Sequence, residues 1–372
     1  MMTPRAHVQP MSHARHQAGM SLIELMIAVA IGLALLAGLS SLYVSTSKAR
    51  TEFNKTSEQV ENGRFALQSI TRDIEMAGFY GRSSLPVTTA SYALSDPCAT
   101  TPASMGFSTT PTLTVPLPVY GPALAATVPT CLATNLPNMK AGAEVLTVSY
   151  VSGSTTTTPS GTEYYLQRSS CSTDSVSMVY SKTAADFILH NKAAVAGGAC
   201  STSTKAELRK YVERSYYVAT CDVCTGTGAD TTPTLKMAEF VNGAIQVSSL
   251  VAGIEDVHYS YGEDLDNNGS PDCYVDNPSD ISAIPAACAT AAAATTPSYS
   301  WTASAAANWA NVTAVRVNLL SRNLDNTASW TDTRTYDLGR AAVSGPYSDH
   351  YKRHVYGTVA RIWNTGGLRE NQ

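Results

Sequence analysis

The chain has 372 residues, and only 15% of them are charged, where about 25% is usual for a soluble domain. The formal net charge is −4 at pH 7, which excludes proteins that hold nucleic acid through a strongly basic surface. Thr, Ser and Ala are abundant instead, a composition typical of a β-rich exported domain with long loops.

Residues 1–19 read as a short basic leader. They contain Arg5 and Arg15, no acidic residue and no apolar core. A secretory peptide has its apolar region before the cleavage site, whereas here the apolar run follows the small-residue junction at Gly19. Positive charge ahead of the run favours keeping the leader in the cytoplasm. Without the leader, 23 basic and 29 acidic residues remain, a net charge of −6.

The stretch Leu25–Ser47 contains no charged residue. At about 1.5 Å per residue a helix of this length spans a bilayer, and we predict a transmembrane segment over about residues 22–44. Glu24 precedes the stretch, and a carboxylate at the end of a membrane segment is costly unless it is paired or functional. Cleavage after Gly19 would make Met20 the N-terminus and Glu24 the fifth residue. Its carboxylate would then be placed to pair with the N-terminal amine of a neighbouring subunit; the alternative is a plain signal anchor.

Gly19, Glu24 and the apolar run Leu25–Leu39 resemble the type IV pilin superfamily, which includes pilins, minor pilins and type II secretion pseudopilins. The resemblance implies that an inner-membrane prepilin peptidase cuts after Gly19 and methylates the amine of Met20. Most members have Phe at that first mature position, where this chain has Met20.

A helical pattern continues beyond the apolar run. Apolar residues recur every seven positions at Phe53, Val60, Leu67 and Ile74, which predicts one helix over residues 20–78. With Ala66, Ile70 and Ala77 beside them, they form one apolar stripe. Its last part, Gln59–Gly81, resembles the PilW group of minor pilins. The matching positions are Gly63, Arg64, Ala66, Arg72, Asp73, Ala77, Gly78 and Gly81. We expect Gly63 to permit close approach, Gly78 to free the turn after the helix, and Arg72 and Asp73 to anchor the helix end to the following loops.

Residues 79–372 are predicted to form a β-rich domain outside the inner membrane. Pro86–Pro137 reads as a long loop region, because Pro, Thr and Ala dominate it. Strands are predicted from alternating patterns at Glu144–Val151, Glu163–Arg168, Tyr211–Ala219, Val257–Tyr261, Val312–Leu320 and Tyr356–Trp363. The expected fold class is therefore α+β, a long N-terminal helix packed on a β-rich domain stapled by disulfides.

The resemblance to the PilW group returns near the C-terminus. Ile254–Tyr274 and Val312–Arg322 are similar to segments of that group, and Arg353–Asn364 is loosely similar. Residues 86–250 resemble no family that we identify from the sequence.

Eight cysteines follow the membrane segment, on the side where disulfides form and persist. Sequential pairing closes only local loops, and it predicts the bonds Cys98–Cys131, Cys171–Cys200, Cys221–Cys224 and Cys273–Cys288. The spacing of Cys221 and Cys224 also suits a redox pair or half of a zinc site. A structural disulfide is favoured, because the pair sits between a predicted strand and a loop rather than at the start of a helix.

Residues 264–272 fit the first half of a calcium loop. Oxygen-bearing side chains alternate at Asp264, Asp266 and Asn268, and Asp272 follows a Gly turn. Position twelve of the loop holds Val275 instead of the usual bidentate Glu. The alternative is an Asp/Asn/Gly turn that joins two strands. Calcium is the only cofactor that the sequence suggests.

The sequence shows no nucleophile elbow, phosphate loop or zincin motif, and its histidines are scattered, so we predict an interaction protein and no enzyme. The resemblance implies a type IV pilus minor pilin in the tip and priming complex, with roles in twitching motility and cell adhesion. Its expected partners are other minor pilins, the major pilin, prepilin peptidase and a tip adhesin. Alternatives are a type II secretion pseudopilin, an adhesin-like tip module that binds through residues 86–250, and a membrane-anchored periplasmic thiol-active enzyme.

Overall fold

A computed structural model describes residues 19–81, 91–94, 101–108, 114–121, 136–171, 173–192, 200–302 and 304–370, without the side chains of residues 91 and 201–203. The chain divides into two compact units, residues 1–54 and residues 55–372. The division falls inside the first helix, so the residues of that helix from Lys55 onward belong to the second unit.

Helix α1 is Leu22–Met76, and it contains no proline. It ends close to the predicted position, because Gly78 adopts φ +73°, a conformation that favours glycine and stops a helix. The amide of Gly78 donates to the carbonyl of Ser149 at 2.9 Å, which directs the chain onto the first sheet. Three short α-helices follow among the described residues: α2, Ala286–Ala294; α3, Ala305–Trp309; and α4, Trp363–Arg369.

The described residues form fifteen strands. They are β1 Ser91–Ala93, β2 Thr114–Pro116, β3 Val119–Tyr120, β4 Leu146–Val151, β5 Tyr165–Arg168, β6 Met178–Ser181, β7 His190–Lys192, β8 Cys200–Lys205, β9 Leu208–Ala219, β10 Thr234–Val241, β11 Ala244–Ala252, β12 Ile254–Glu263, β13 Cys273–Val275, β14 Val312–Arg322 and β15 Arg353–Arg361. The first sheet runs β11-β10-β9-β4-β3, with β5 and β6 attached through β9. The second sheet runs β13-β12-β14-β15, and β1-β2 and β7-β8 are separate pairs.

Strand β14 shows why the second sheet forms here. Val315, Val317 and Leu319 are fully buried, whereas Arg316 between them is exposed, as the alternating pattern predicts. The strand pairs antiparallel with β12 on one side and β15 on the other, so it lies in the interior of the sheet.

One apolar core joins both sheets to α1. Ala66, Ile70 and Ile74 of the helix belong to the same buried cluster as side chains of β4, β9, β12 and β14. The predicted stripe is confirmed at Ala66, Ile70, Ile74 and Ala77, which are fully buried. It is wrong at Phe53, which is 73% exposed, and Val60 and Leu67 are only half-buried.

The fold class is confirmed as α+β, with a long apolar N-terminal helix and a β-rich remainder. The hairpin β10–β11 was not predicted, and neither were the short strands β1 to β3 inside the expected loop region. The last strand was predicted to reach Trp363, but β15 ends at Arg361 and Trp363 begins α4.

Candidate functional site: the long helix and its seat

Glu24 caps the helix to which it belongs. The amide of Ser21 donates to Glu24 Oε2 at 3.0 Å, and the amide of Ile23 donates to Ser21 Oγ at 3.3 Å. This reciprocal pair is a capping box, which satisfies amides that have no partner at a helix start. The Ser-x-x-Glu spacing indicates a capping box already in the sequence, whereas the role predicted above for Glu24 lies between subunits.

The first part of α1 contains a segment long and apolar enough to cross a membrane, and none of that segment is buried. Leu33, Leu36 and Leu39 are each more than 60% exposed. Large apolar side chains exposed over such a length favour contact with lipid or with other apolar helices.

Asp73 fixes the far end of α1 to the first sheet. It is 4% exposed, and it accepts hydrogen bonds from the hydroxyls of Tyr150 (2.9 Å) and Tyr216 (2.6 Å). Arg214 Nη1 lies 3.1 Å from both carboxylate oxygens. Burial and the Asp73 carboxylate raise the pKa of both tyrosines well above the ordinary value, so the tyrosines remain donors. Asp73 therefore anchors α1 to strands rather than to the loops we predicted, and Arg72 is exposed.

Polar side chains also tie α1 to backbone carbonyls elsewhere in the second unit. Gln59 is buried and donates to the carbonyls of Ser321 (2.7 Å) and Lys352 (3.0 Å). At the helix end, Asn364 Nδ2 donates to the carbonyl of Ala77 at 3.1 Å. We call the surroundings of α1 between Lys55 and Ala77 the helix seat. It includes both sheets and α4.

An ionic cluster joins the two sheets beside the core. Arg340 Nε lies 2.9 Å from Glu144 Oε1, and its Nη1 lies 2.6 Å from Asp256 Oδ2. His258 Nδ1 is 2.9 Å from Glu144 Oε1, and Nε2 is 3.3 Å from Asp276 Oδ1. Desolvation alone would lower the pKa of His258, but the hydrogen bonds to Asp276 and Glu144 outweigh it and raise that pKa to about 9. His258 is only 2% exposed, so its ring lies in the interior.

Residues 264–272, which we call the acidic loop, have three of their carboxylates close together. Asp264, Asp266 and Asp272 each offer a carboxylate oxygen within 4.8 Å of the others. Asn268 is engaged elsewhere, because its Nδ2 donates to Asp266 and its Oδ1 accepts from the amide of Ser270. Arg369 Nη1 lies 3.0 Å from Asp264 Oδ2 and supplies positive charge where a cation would bind.

Three cysteine pairs are bonded within the described residues, and they follow sequential pairing. Cys171–Cys200, Cys221–Cys224 and Cys273–Cys288 have Cα separations of 5.5, 5.2 and 5.2 Å. The expected Cys98–Cys131 bond lies outside the described residues.

The pair Cys221–Cys224 lies in the loop between β9 and β10. Cys221 is 6% exposed, and the ammonium of Lys236 lies 3.4 Å from Cys224 Sγ. With both sulfurs bonded to each other, neither is a zinc ligand in this structure.

Two families match the sequence of the chain. Residues 14–40 match the prokaryotic N-terminal methylation motif, and residues 215–364 match the family described as Type IV Pilus-assembly protein W. No match is found among curated proteins or solved structures. The first match covers Gly19, Met20 and Glu24, and the second begins within the last part of β9 and continues to the start of α4.

The N-terminal match and the long helix α1, which begins within it, are features of the type IV pilin class. Within that class the chain is PilW-like over residues 215–364, the range of the second match. The second match includes residues 215–250, for which the sequence suggested no resemblance, whereas the similarity we saw in Gln59–Gly81 lies outside both matched ranges.

Proposed function

We propose that the chain is a minor pilin that primes type IV pilus assembly and then lies at the pilus tip. The observation that carries the proposal is the presence, in one chain, of the N-terminal methylation motif and of the Pilus-assembly protein W match. Prepilin peptidase would cut after Gly19 and methylate Met20. The apolar part of α1 would hold the product in the inner membrane, with the second unit in the periplasm.

The Glu24 carboxylate is proposed to neutralise the N-terminal amine of a neighbouring pilin. Among the described residues, only its Oε2 is engaged, through the amide of Ser21. Oε1 is therefore free to accept a second partner. A charge-assisted bond of this kind is strong in a low-dielectric environment, and it would fix the axial position of one helix against the next.

The size of the second unit supports a position at the tip. A β-rich unit that extends from Lys55 to the C-terminus is bulky compared with the one apolar helix segment that precedes it. Repeated packing along a shaft would bring such units into contact, whereas at a tip one side of the unit is unobstructed. The partners would be other minor pilins, the major pilin and a tip adhesin.

The test compares a strain that lacks this gene with its complemented parent. Surface pili, twitching motility and exoprotein secretion are measured together. Scarce pili with normal secretion are expected. Normal pili with failed secretion would assign the chain to the type II pseudopilins and reject the proposal.

The enzyme alternative has its own measurement in the purified native protein. We expect Cys221 and Cys224 to resist alkylation unless the protein is first reduced and unfolded, as a structural disulfide does. Rapid alkylation of these two residues without reductant would favour the thiol-active enzyme.

A further inference from the structure

A groove lies beside α1 on the side of β15. Its walls are the helix turns Gln59–Arg64, the loop that contains Trp330 and Arg334, and the first residues of β15 up to Tyr356. The groove encloses about 500 Å³, the size of pockets that hold a drug-sized ligand and far more than a single phosphate needs. We call it the basic groove.

The lining of the basic groove is cationic. It includes Arg64, Arg334 and Lys352, and none of the described residues that line it is acidic. Arg64 and Arg334 are both exposed, and neither forms an ion pair with a residue in the described part of the chain. Two guanidinium groups on facing walls are thus available to an anion, and the planar guanidinium matches a carboxylate in two hydrogen bonds.

The carboxylates beneath the groove are paired with other cations and do not neutralise the positive charge of Arg64 and Arg334. Arg353, on the groove floor, is fully buried at its side chain and contacts Glu255 (2.5 Å), Asp332 (2.8 Å) and Asp349 (2.6 Å). Two further cations each interact with one of these three carboxylates. Lys140 Nζ lies 4.0 Å from Glu255, and Arg322 helps to lower the pKa of Asp349, after the larger effect of its hydrogen bond to Arg353. The buried charges therefore balance without Arg64 or Arg334.

The two aromatic rings in the groove already have packed neighbours. The guanidinium of Arg334 lies 4.7 Å from the Trp330 ring, and the ring of His354 lies 4.6 Å from that of Tyr356. Trp330 Nε1 and the Tyr356 hydroxyl are shielded from solvent and have no hydrogen-bond partner among the described residues. Because both rings already have packed neighbours, the groove offers little open ring face for a sugar to stack on, which favours a peptide.

We infer that the basic groove binds an acidic peptide segment of a partner polypeptide. The carboxylates of the segment pair with Arg64 and Arg334. If the proposed function holds, that partner is a neighbouring pilus component, and the groove beside α1 is where its acidic side chains dock.

The test uses the purified full-length chain in detergent and a fluorescent octa-glutamate peptide. Arg64→Gln and Arg334→Gln are each expected to weaken binding about tenfold, or about 1.4 kcal/mol, because each removes a charge-assisted hydrogen bond. Each variant has a matched control. Arg72→Gln removes an exposed arginine farther along the same helix, and Arg316→Gln removes one that stacks on Tyr274 at 4.0 Å. Both controls should bind like the wild type.

Equal binding by all four variants and the wild type would overturn the inference. Tighter binding of an oligogalacturonate, lost in Arg64→Gln and Arg334→Gln, would overturn it in favour of an acidic sugar. The proposed function fails separately, if pili are normal in the strain that lacks the gene, and that result leaves the peptide measurement unchanged.

Discussion

Gly63 of α1 lies directly against the aromatic ring of Tyr356 in β15. A Cβ atom built on Gly63 would stand 2.5 Å from Cε2 and 2.6 Å from Cδ2 of that ring. Carbon atoms in contact are normally about 3.5–4.0 Å apart, so no other residue fits at position 63 unless the ring or the helix moves. The close approach that the sequence suggested for Gly63 is made to the last strand of the second sheet.

Gly63→Ala is expected to destabilise the second unit. Overpacking typically costs about 1–3 kcal/mol, and the gain in helix propensity, about 0.5–1 kcal/mol, offsets only part of it. Thermal unfolding of the full-length chain in detergent measures the change. Gly38→Ala is the control, because no atom lies within 4 Å of its added Cβ. Adding Tyr356→Ala to Gly63→Ala should recover part of the loss; no recovery would contradict the contact.

Asp73→Asn should cost about 2 kcal/mol of unfolding free energy. Asn keeps the shape of the side chain but leaves Arg214 without its buried counter-charge. The cost stays moderate because the Arg214 side chain is 28% exposed and keeps Glu239 at 3.0 Å. Denaturant unfolding measures it, with Glu75→Gln, an exposed change on the same helix, as the neutral control. Equal stability of the two variants would show that the charge of Asp73 does not hold the helix.

Stability is expected to fall as pH rises from about 6.5 to about 9. The pKa of His258 is raised from its ordinary value of 6.5 to about 9, so its contribution is complete below pH 6.5 and is lost through pH 9. Burial likewise raises the pKa of Glu263 from 4.5 to about 8, which adds a loss between those values. Thermal unfolding across this range tests the sign. His258→Gln should flatten the upper part of the curve and Glu263→Gln the lower; a wild-type curve that rises with pH would refute the assignment.

Calcium binding at the acidic loop is proposed to compete with Arg369. In the wild type the ion must displace the guanidinium from Asp264, so we expect weak binding, in the range of about 1 mM seen for extracellular modules. Arg369→Gln should tighten it, measured as the calcium-dependent shift in melting temperature. Asp266→Asn in the Arg369→Gln background should abolish the shift. If calcium shifts the melting temperature of neither the wild type nor Arg369→Gln, the loop is an Asp/Asn/Gly turn only.

Local patterns in the sequence predict much of the fold. The alternation of Val315, Val317 and Leu319 identifies β14, and Gly78 marks the end of α1. Two equally local signals were overlooked. Asn242-Gly243, both at positive φ, is a typical hairpin turn and joins β10 to β11, and Ser21-x-x-Glu24 is a capping box.

Other features depend on contacts between distant residues. Arg340 and Glu144 lie 196 positions apart, and they meet only because the two sheets pack beside each other. The partners of Asp73 on β4 and β9 depend on the same packing. The basic groove likewise combines α1, a loop and β15. No periodicity or motif in a single sequence predicts which of these distant residues come into contact.

The charge of Glu24 is proposed to pair with the N-terminal amine of a neighbouring pilin, and Glu24→Gln tests this pairing most directly. Gln at this position still completes the capping box but carries no charge, whereas Glu24→Ala removes both. Surface pili are counted in strains that carry each variant, after mature protein of normal length and amount is verified in the membrane. We predict that both variants assemble few pili. Wild-type numbers of pili with Glu24→Gln would contradict the account and leave Glu24 as a helix cap alone.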